Sequence, residues 1–213
     1  MKLISKGAEA ELYLTNWFGI KAIRKIRTSK SYRIFRLDNQ LRVFRTLNEA
    51  RLLINVKKIG IPVPTVFDVD VNEYSIIMEY IDGILLRDMI PQLNLDKISE
   101  IFMLLGMFIG KLHDKGFYHG DLTTSNVFLV NNNLVLIDFG LGGVSHEFEA
   151  FGVDIHLMLR ALESTHHDIA SYCFSNFRDG YSTSFCNWEI VFKKVEDIRK
   201  RGRYVIERRV RTK

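Results

Sequence analysis

The chain has 213 residues, 47% of them hydrophobic, with three prolines and no low-complexity run; that allows a substantial core and excludes a largely disordered protein. Its formal net charge of +5 is uneven: residues 21–51 hold ten Lys/Arg against Asp38 and Glu49, and residues 193–213 hold ten against Glu196, Asp197 and Glu207. The rest is net acidic, and two dense basic patches on such a body point to a polyanionic partner.

Cys173 and Cys186 lie in an apolar, aromatic-rich region with no CxxC, and read as reduced core thiols rather than a disulfide or metal ligands. The opening MKLISKGAEAELYL lacks the apolar core of a signal peptide. The longest greasy stretch, Ile101 to Gly110, is about half a membrane span. Its Gly106 and Gly110 resemble a membrane dimer motif, but read better as small residues on a buried helix that let a neighbour approach. A soluble, cytoplasmic protein with no membrane span is expected.

In chain order, Ser5-Lys6-Gly7-Ala8-Glu9-Ala10 forms a turn with one glycine. Leu12 and Leu14, then Ile20 to Ile26, read as strands joined through Asn16-Trp17-Phe18-Gly19. From Asp38 to Ile59 the apolar residues recur at helical spacing, and Gly60 stops that helix. Pro62 and Pro64 force an extended segment. Val66-Phe67 and Tyr74 to Met78 read as a hairpin turning near Asp70–Glu73. Glu79 to Gly83 is a linker. Beyond it the pattern is mostly helical: 86–92, 96–115, 148–163, 166–180 and 188–200. One short hairpin, 127–130 and 134–137, interrupts it around Asn131-Asn132-Asn133. The expected fold is α+β: a small strand-rich N-terminal lobe (1–80) precedes a larger helical C-terminal lobe (81–213) that carries the catalytic loop and a basic tail.

The chemistry sits in Tyr118-His119-Gly120-Asp121-Leu122-Thr123-Thr124-Ser125-Asn126 and in Ile137-Asp138-Phe139-Gly140. Magnesium takes hard oxygen ligands, and a nucleophile needs a nearby carboxylate. The hairpin between the two motifs folds its ends together, so Asp121, Asn126 and Asp138 converge on one phosphate chain. In the kinase template Asp121 accepts the nucleophile's proton, while Asn126 and Asp138 hold Mg2+. Lys25, on a strand, reaches the nucleotide phosphates, and Glu49, on the following helix, pairs with it. Met78, Glu79 and Ile81 form the adenine hinge, through the Glu79 carbonyl and the Ile81 amide. Gly7 and Ala8 cover the phosphates. Asp154 starts an apolar helix and either braces the catalytic loop or caps its own helix. His119 packs beneath the loop, and His166-His167 reads as a helix start. ATP and Mg2+ are the expected cofactors.

Further residues carry a resemblance. Gly7-Ala8-Glu9-Ala10, Lys25-Ile-Arg27-Thr-Ser-Lys30-Ser-Tyr32-Arg33, Leu37-Asp38, Arg45-Thr46 and Glu49-Ala50-Arg51 stand in order before HGDLTTSN, Asp138-Phe139-Gly140-Leu141-Gly142 and Arg201-Gly202-Arg203-Tyr204. Together, nearly end to end, they resemble the atypical serine/threonine kinase subunit of the KEOPS complex, the p53-related protein kinases. That resemblance implies a small bilobal protein-kinase-like fold with a minimal activation segment, Mg-ATP binding, autophosphorylation, and an ATPase stimulated by a partner. The implied partners are the tRNA threonylcarbamoyltransferase, which makes threonylcarbamoyladenosine at tRNA position 37, and the other KEOPS subunits. In some archaea kinase and transferase are one fused chain. Direct tRNA contact is expected through 21–51 and 193–213, with the steep salt dependence of counterion release.

Gly120 and Thr123 stand where most protein kinases write Arg and Lys. Thirteen residues separate Gly140 from Asp154, with no Ala-Pro-Glu, so there is little activation loop for an Arg to read. Thr123 removes a cation from the transferring phosphoryl group, a loss that costs several kcal/mol of barrier unless another cation replaces it. An Arg from 199–209 folded back to the cleft, or a partner's side chain, is the expected replacement. Two other readings compete: a small-molecule kinase of the aminoglycoside or choline phosphotransferase type, and a nucleotide-bound scaffold.

Overall fold

The computed structural model describes residues 1–211, and the side chains of 1–201. Strands β1 (Lys2–Lys6), β2 (Ala10–Trp17), β3 (Ile20–Arg27), β4 (Val66–Asp70) and β5 (Ser75–Glu79) form an antiparallel sheet in the order β1-β2-β3-β5-β4. The two-residue turn between β2 and β3 places Phe18 (φ 46) and Gly19 (φ 87) in the left-handed region, as a tight hairpin requires. The Asn16 side chain steadies it by accepting the Gly19 N–H at 2.7 Å.

Helix α1 (Phe35–Lys58) packs on this sheet. Its last turns bury the apolar Ala50, Leu52, Leu53 and Val56, while the polar Asp38, Thr46 and Glu49 are buried before them. Burial of charge on a helix needs partners, and the cleft supplies them. The helix stops at Gly60 (φ 79), with Gly60 N–H donating to the Lys57 carbonyl and Ile61 N–H to that of Val56.

The C-terminal part holds β6 (Ile84–Leu85), α2 (Leu86–Met89), α3 (Leu95–Asp114), β7 (Phe117–Tyr118), β8 (Val127–Val130), β9 (Asn133–Leu136), β10 (Gly143–Val144), α4 (Phe148–Thr165), α5 (Ala170–Ser182) and α6 (Trp188–Arg211). Helix α3 starts at Asn94, whose side chain accepts the Lys97 N–H. It lies against α5 so closely that a Cβ on Gly106 would stand 2.0 Å from the Phe177 carbonyl oxygen. The neighbour expected at Gly106 and Gly110 is therefore α5. One core runs from Leu53, Ile76 and Met78 through Leu86 and Leu136 to Phe102, Leu105, Ile155 and Phe177. No helix among the described residues is long and apolar enough to cross a membrane.

The strand-rich N-terminal part and helical C-terminal part match the α+β expectation, with differences in detail. β1, β6 and the β7/β10 pair are additional strands. The expected helix 86–92 is α2 followed by a 3-10 turn at Ile90–Gln92. His166 is not a helix start: its N–H closes α4 on the Leu162 carbonyl, and α5 begins at Ala170. Asp154 lies inside α4 rather than at its start. Of the two free thiols, Cys173 is buried, where burial pushes its pKa up to about 12, but Cys186 is exposed and is not a core residue.

Candidate active site

Every residue expected at the nucleotide site lines one of two adjoining cavities beneath the sheet. The larger, about 490 Å³, is bounded by Lys25, Glu49, Met78, Glu79, Ile81, Asn126 and Asp138. The smaller, about 300 Å³, is bounded by Gly7, Ala8, Lys25, Asp121 and Asp138. Lys25 and Asp138 belong to both, so the cavities meet at this ion pair. The larger has the size of a small-molecule pocket and apolar walls from Leu12, Ile23, Met78, Phe128 and Ile137.

Two short pairings bring the loops together. β7 enters the loop His119–Asn126, β10 leaves the loop of Asp138, and the two pair antiparallel. The Ile137 N–H donates to the Asn126 carbonyl at 3.0 Å, fixing the residue before Asp138 to the last residue of the catalytic loop. Asn126 Nδ2 donates to the Asp121 carbonyl (2.8 Å) and to Asp121 Oδ2 (2.9 Å), which leaves its side-chain oxygen for a ligand. Asp138 adopts φ 61, a region Asp enters more readily than most residues, and its carboxylate accepts the Gly140 N–H.

Charge runs through the cleft as a chain. Lys25 Nζ is 2.7 Å from Glu49 Oε1 and 2.7 Å from Asp138 Oδ1. The other Glu49 oxygen accepts from Arg27, which also donates to the Arg45 carbonyl. Lys25, Arg27 and Glu49 are buried, while Asp138 is half-exposed. Burial opposes charge on Lys25, but Glu49 and Asp138 outweigh it and raise its pKa. Burial likewise pushes the Asp138 carboxyl up, and Lys25 more than reverses that, holding it below the usual carboxylate range.

Beneath the loop, the buried Asp154 carboxylate accepts the N–H groups of His119 and Gly120, so of the two roles left open it fills the brace. His119 Nε2 lies 3.0 Å from the Ile137 carbonyl, and its ring packs on Phe139, beneath the loop as expected. His113 bridges Asp154 and the Tyr181 hydroxyl.

Glu9, Arg27, Arg33, Asp38 and Arg45 carry no role that the sequence assigned. Arg27 shares Glu49 with Lys25, and the others form a second network around the Gly7–Ala10 turn. Glu9 pairs with Arg33 (3.3 Å) and Arg45 (2.6 Å), and Lys30 donates to the Ala8 carbonyl. Buried Asp38 takes the Lys30 N–H and lies 3.6 Å from Arg33. Arg42 Nε is 2.8 Å from Asp38, in ion-pair contact but not aligned for a hydrogen bond. One signal for Arg27 was available: it stands two residues after Lys25 on one strand, hence on the same face.

These contacts revise the basic patches. Lys25, Arg27, Arg33, Arg42 and Arg45 are ion-paired, leaving Lys21, Arg36 and Arg51 among the exposed cations. Arg199 pairs with Glu163 and Arg201 with Glu149, both on α4. Neither supplies the cation missing at Thr123; the side chains of Arg203, Arg208 and Arg209 lie outside the described residues.

Comparison with known proteins agrees with this geometry. A RIO-domain family model matches residues 20–170. The chain is 41% identical over 212 residues to KEOPS complex subunit Bud32 of Pyrococcus abyssi, covering 96% of each. It is 42% identical over 203 residues to a probable bifunctional tRNA threonylcarbamoyladenosine biosynthesis protein of Methanocaldococcus jannaschii, covering 95% of this chain but 37% of that one. It thus spans little more than a third of that longer relative. In fold it is similar to the Rio2 kinase of Chaetomium thermophilum, crystallised as an ADP/Mg2+-phosphoaspartate complex. The TM-score is 0.63 at 16% identity, over 96% of this chain and 72% of that one. The chain belongs to the RIO-domain family and, within it, to the Bud32 group of p53-related protein kinases.

Proposed function

We propose that this protein binds Mg-ATP and acts mainly as an ATPase, with atypical serine/threonine kinase activity, in support of threonylcarbamoyladenosine modification of tRNA. The observation that carries the reading is that Asp121, Asn126 and Asp138 line two adjoining cavities that meet at Lys25, itself held by Glu49.

The donor set suits the implied metal. Among the described residues no cluster of three His, Cys, Asp or Glu could hold an ion alone. Magnesium in nucleotide sites takes one or two carboxylates and completes its shell with phosphate and water. Asp138 and the Asn126 side-chain oxygen would hold it, and when bound it neutralises phosphate charge. Lys25 binds phosphate oxygens. Asp121, oriented by Asn126, takes the proton of the attacking water or hydroxyl. Met78, Glu79 and Ile81 receive the base, and Gly7 and Ala8 cover the phosphates.

The names of the Pyrococcus and Methanocaldococcus relatives support the tRNA role and other KEOPS subunits, the transferase first, as partners. Lys21, Arg36 and Arg51 in 21–51, and Lys193 and Lys200 in 193–213, are among the exposed cations available to tRNA. The test is ATP hydrolysis by the wild type and Asp138→Ala, with and without the transferase subunit. Hydrolysis that needs Asp138 and rises with the partner is expected. A rate indifferent to both would leave only a scaffold.

A further inference from the structure

The cleft lacks a cation at Thr123, and the structure offers three arginine or lysine side chains as substitutes. Lys25 and Arg27 are both fixed on buried Glu49, one on each oxygen. Arg45 is different. It stands one helical turn before Glu49 and lines the smaller cavity with Gly7, Ala8, Asp121 and Asp138. Its Nη1 is held by Glu9 at 2.6 Å, and that carboxylate side chain is 43% exposed. Glu9 has a second cation, Arg33, at 3.3 Å, so it keeps a partner if Arg45 leaves. A partly exposed carboxylate is a weak competitor. A terminal phosphate carries more charge and matches the guanidinium fork.

We propose that Arg45 binds the terminal phosphate of a nucleoside triphosphate in this cleft, and that Glu9 holds the guanidinium in place until the nucleotide arrives. Arg45 thereby replaces the loop cation that Thr123 does not supply. Burial pushes the Glu9 carboxyl up, but Arg45 and then Arg33 outweigh it and keep its pKa below the usual range, so Arg45 faces a full negative charge there. The inference rests on the nucleotide reading above and sharpens it, because it gives the site a reason to tell a triphosphate from a diphosphate.

The experiment titrates Mg-ATP and Mg-ADP into the full chain by calorimetry, for the wild type, Arg45→Gln, Glu9→Gln and Asp138→Ala. A lost charge-assisted contact to the last phosphate should weaken ATP by about tenfold in Arg45→Gln, with ADP nearly unchanged. Glu9→Gln removes the competing charge and should tighten ATP a few-fold, again sparing ADP. A merely structural Arg45 would weaken both nucleotides alike, and an unchanged ratio overturns the proposal. If Arg45→Gln does not fold, Glu9→Gln decides: unaltered ATP affinity overturns it equally. A wild type that binds neither nucleotide removes the nucleotide reading and this inference with it. A wild type that binds both, loses them in Asp138→Ala, and keeps its ratio in Arg45→Gln removes the inference alone.

Discussion

The Asp154 carboxylate lies 2.8 Å from the Gly120 N–H, and its second oxygen takes the adjacent His119 N–H at 2.6 Å. One buried side chain on α4 therefore fixes two consecutive amides immediately before Asp121. Removal in Asp154→Ala leaves both donors and His113 Nε2 without their acceptor. Each buried group so stranded costs about 1–3 kcal/mol. Urea unfolding should show a loss of about 3 kcal/mol or more, and Asp154→Asn, which keeps one acceptor, should lose less.

Gly120 answers a question the sequence raised. Its φ is +81, and a Cβ there would stand 2.1 Å from the Leu141 carbonyl oxygen. An arginine is thus excluded by space as well as by the short segment it would read. Gly120→Ala must move backbone in the loop of Asp121 or in that of Asp138. We expect a destabilisation of at least about 1–3 kcal/mol, measured by thermal melting, and a loss of ATP turnover that added nucleotide does not restore.

Lys25→Met should separate binding chemistry from stability. Glu49 keeps Arg27, and Asp138 is half-exposed, so neither carboxylate is left buried and alone. Turnover should fall by about 100-fold or more, the scale of losing a preorganised charge contact, while the melting temperature shifts little. Arg27→Met, which opens a buried contact of the same carboxylate, should lower the melting temperature further than Lys25→Met does. Equal melting temperatures would count against that division of labour.

Buried His113 gives a pH signature. Burial pushes its pKa below 6.5, more strongly than the neighbouring Asp154 raises it, and its other nitrogen faces the Tyr181 hydroxyl. The unfolded chain then takes up a proton that the folded chain refuses. Stability is full above about 6.5 and is lost as pH falls toward the lower folded value. His156 and His166, also lowered, act with the same sign. Melting temperature should decline as pH goes from 7 to 5, and His113→Gln should flatten part of that decline. A slope identical to the wild type would exclude His113 as a source.

Much of this arrangement could be read before any coordinates. Apolar alternation marked β2 and β3, helical spacing marked α1, and the interval between Asn126 and Asp138 foretold the hairpin that joins them. What escaped notice depended on tertiary closure. β1 is exposed along its whole length and shows no alternation; only pairing with β2 makes it a strand. β7 and β10 are two residues each and exist because two loops meet. Arg27 and Asp38 were missed because charged side chains default to solvent, and their burial follows from partners that the fold supplies, Glu49 for Arg27 and the Lys30 N–H and Arg33 for Asp38. The basic run at 21–51 is less free than its count implies for the same reason: five of its ten cations are ion-paired, four of them with carboxylates distant in the chain.

Glu49 serves Lys25 and Arg27 at once, one with each oxygen. For α1 to swing outward, two enclosed cations would lose their shared counter-ion together. Breaking a single enclosed ion pair already costs about 3–5 kcal/mol, so the displaced helix should be populated well below one molecule in a hundred. Lys25 is thus already aligned on the cavities that it bounds. Under the proposed function, control of turnover would fall to the Gly7–Ala10 turn or to partner subunits rather than to any pivoting of this helix.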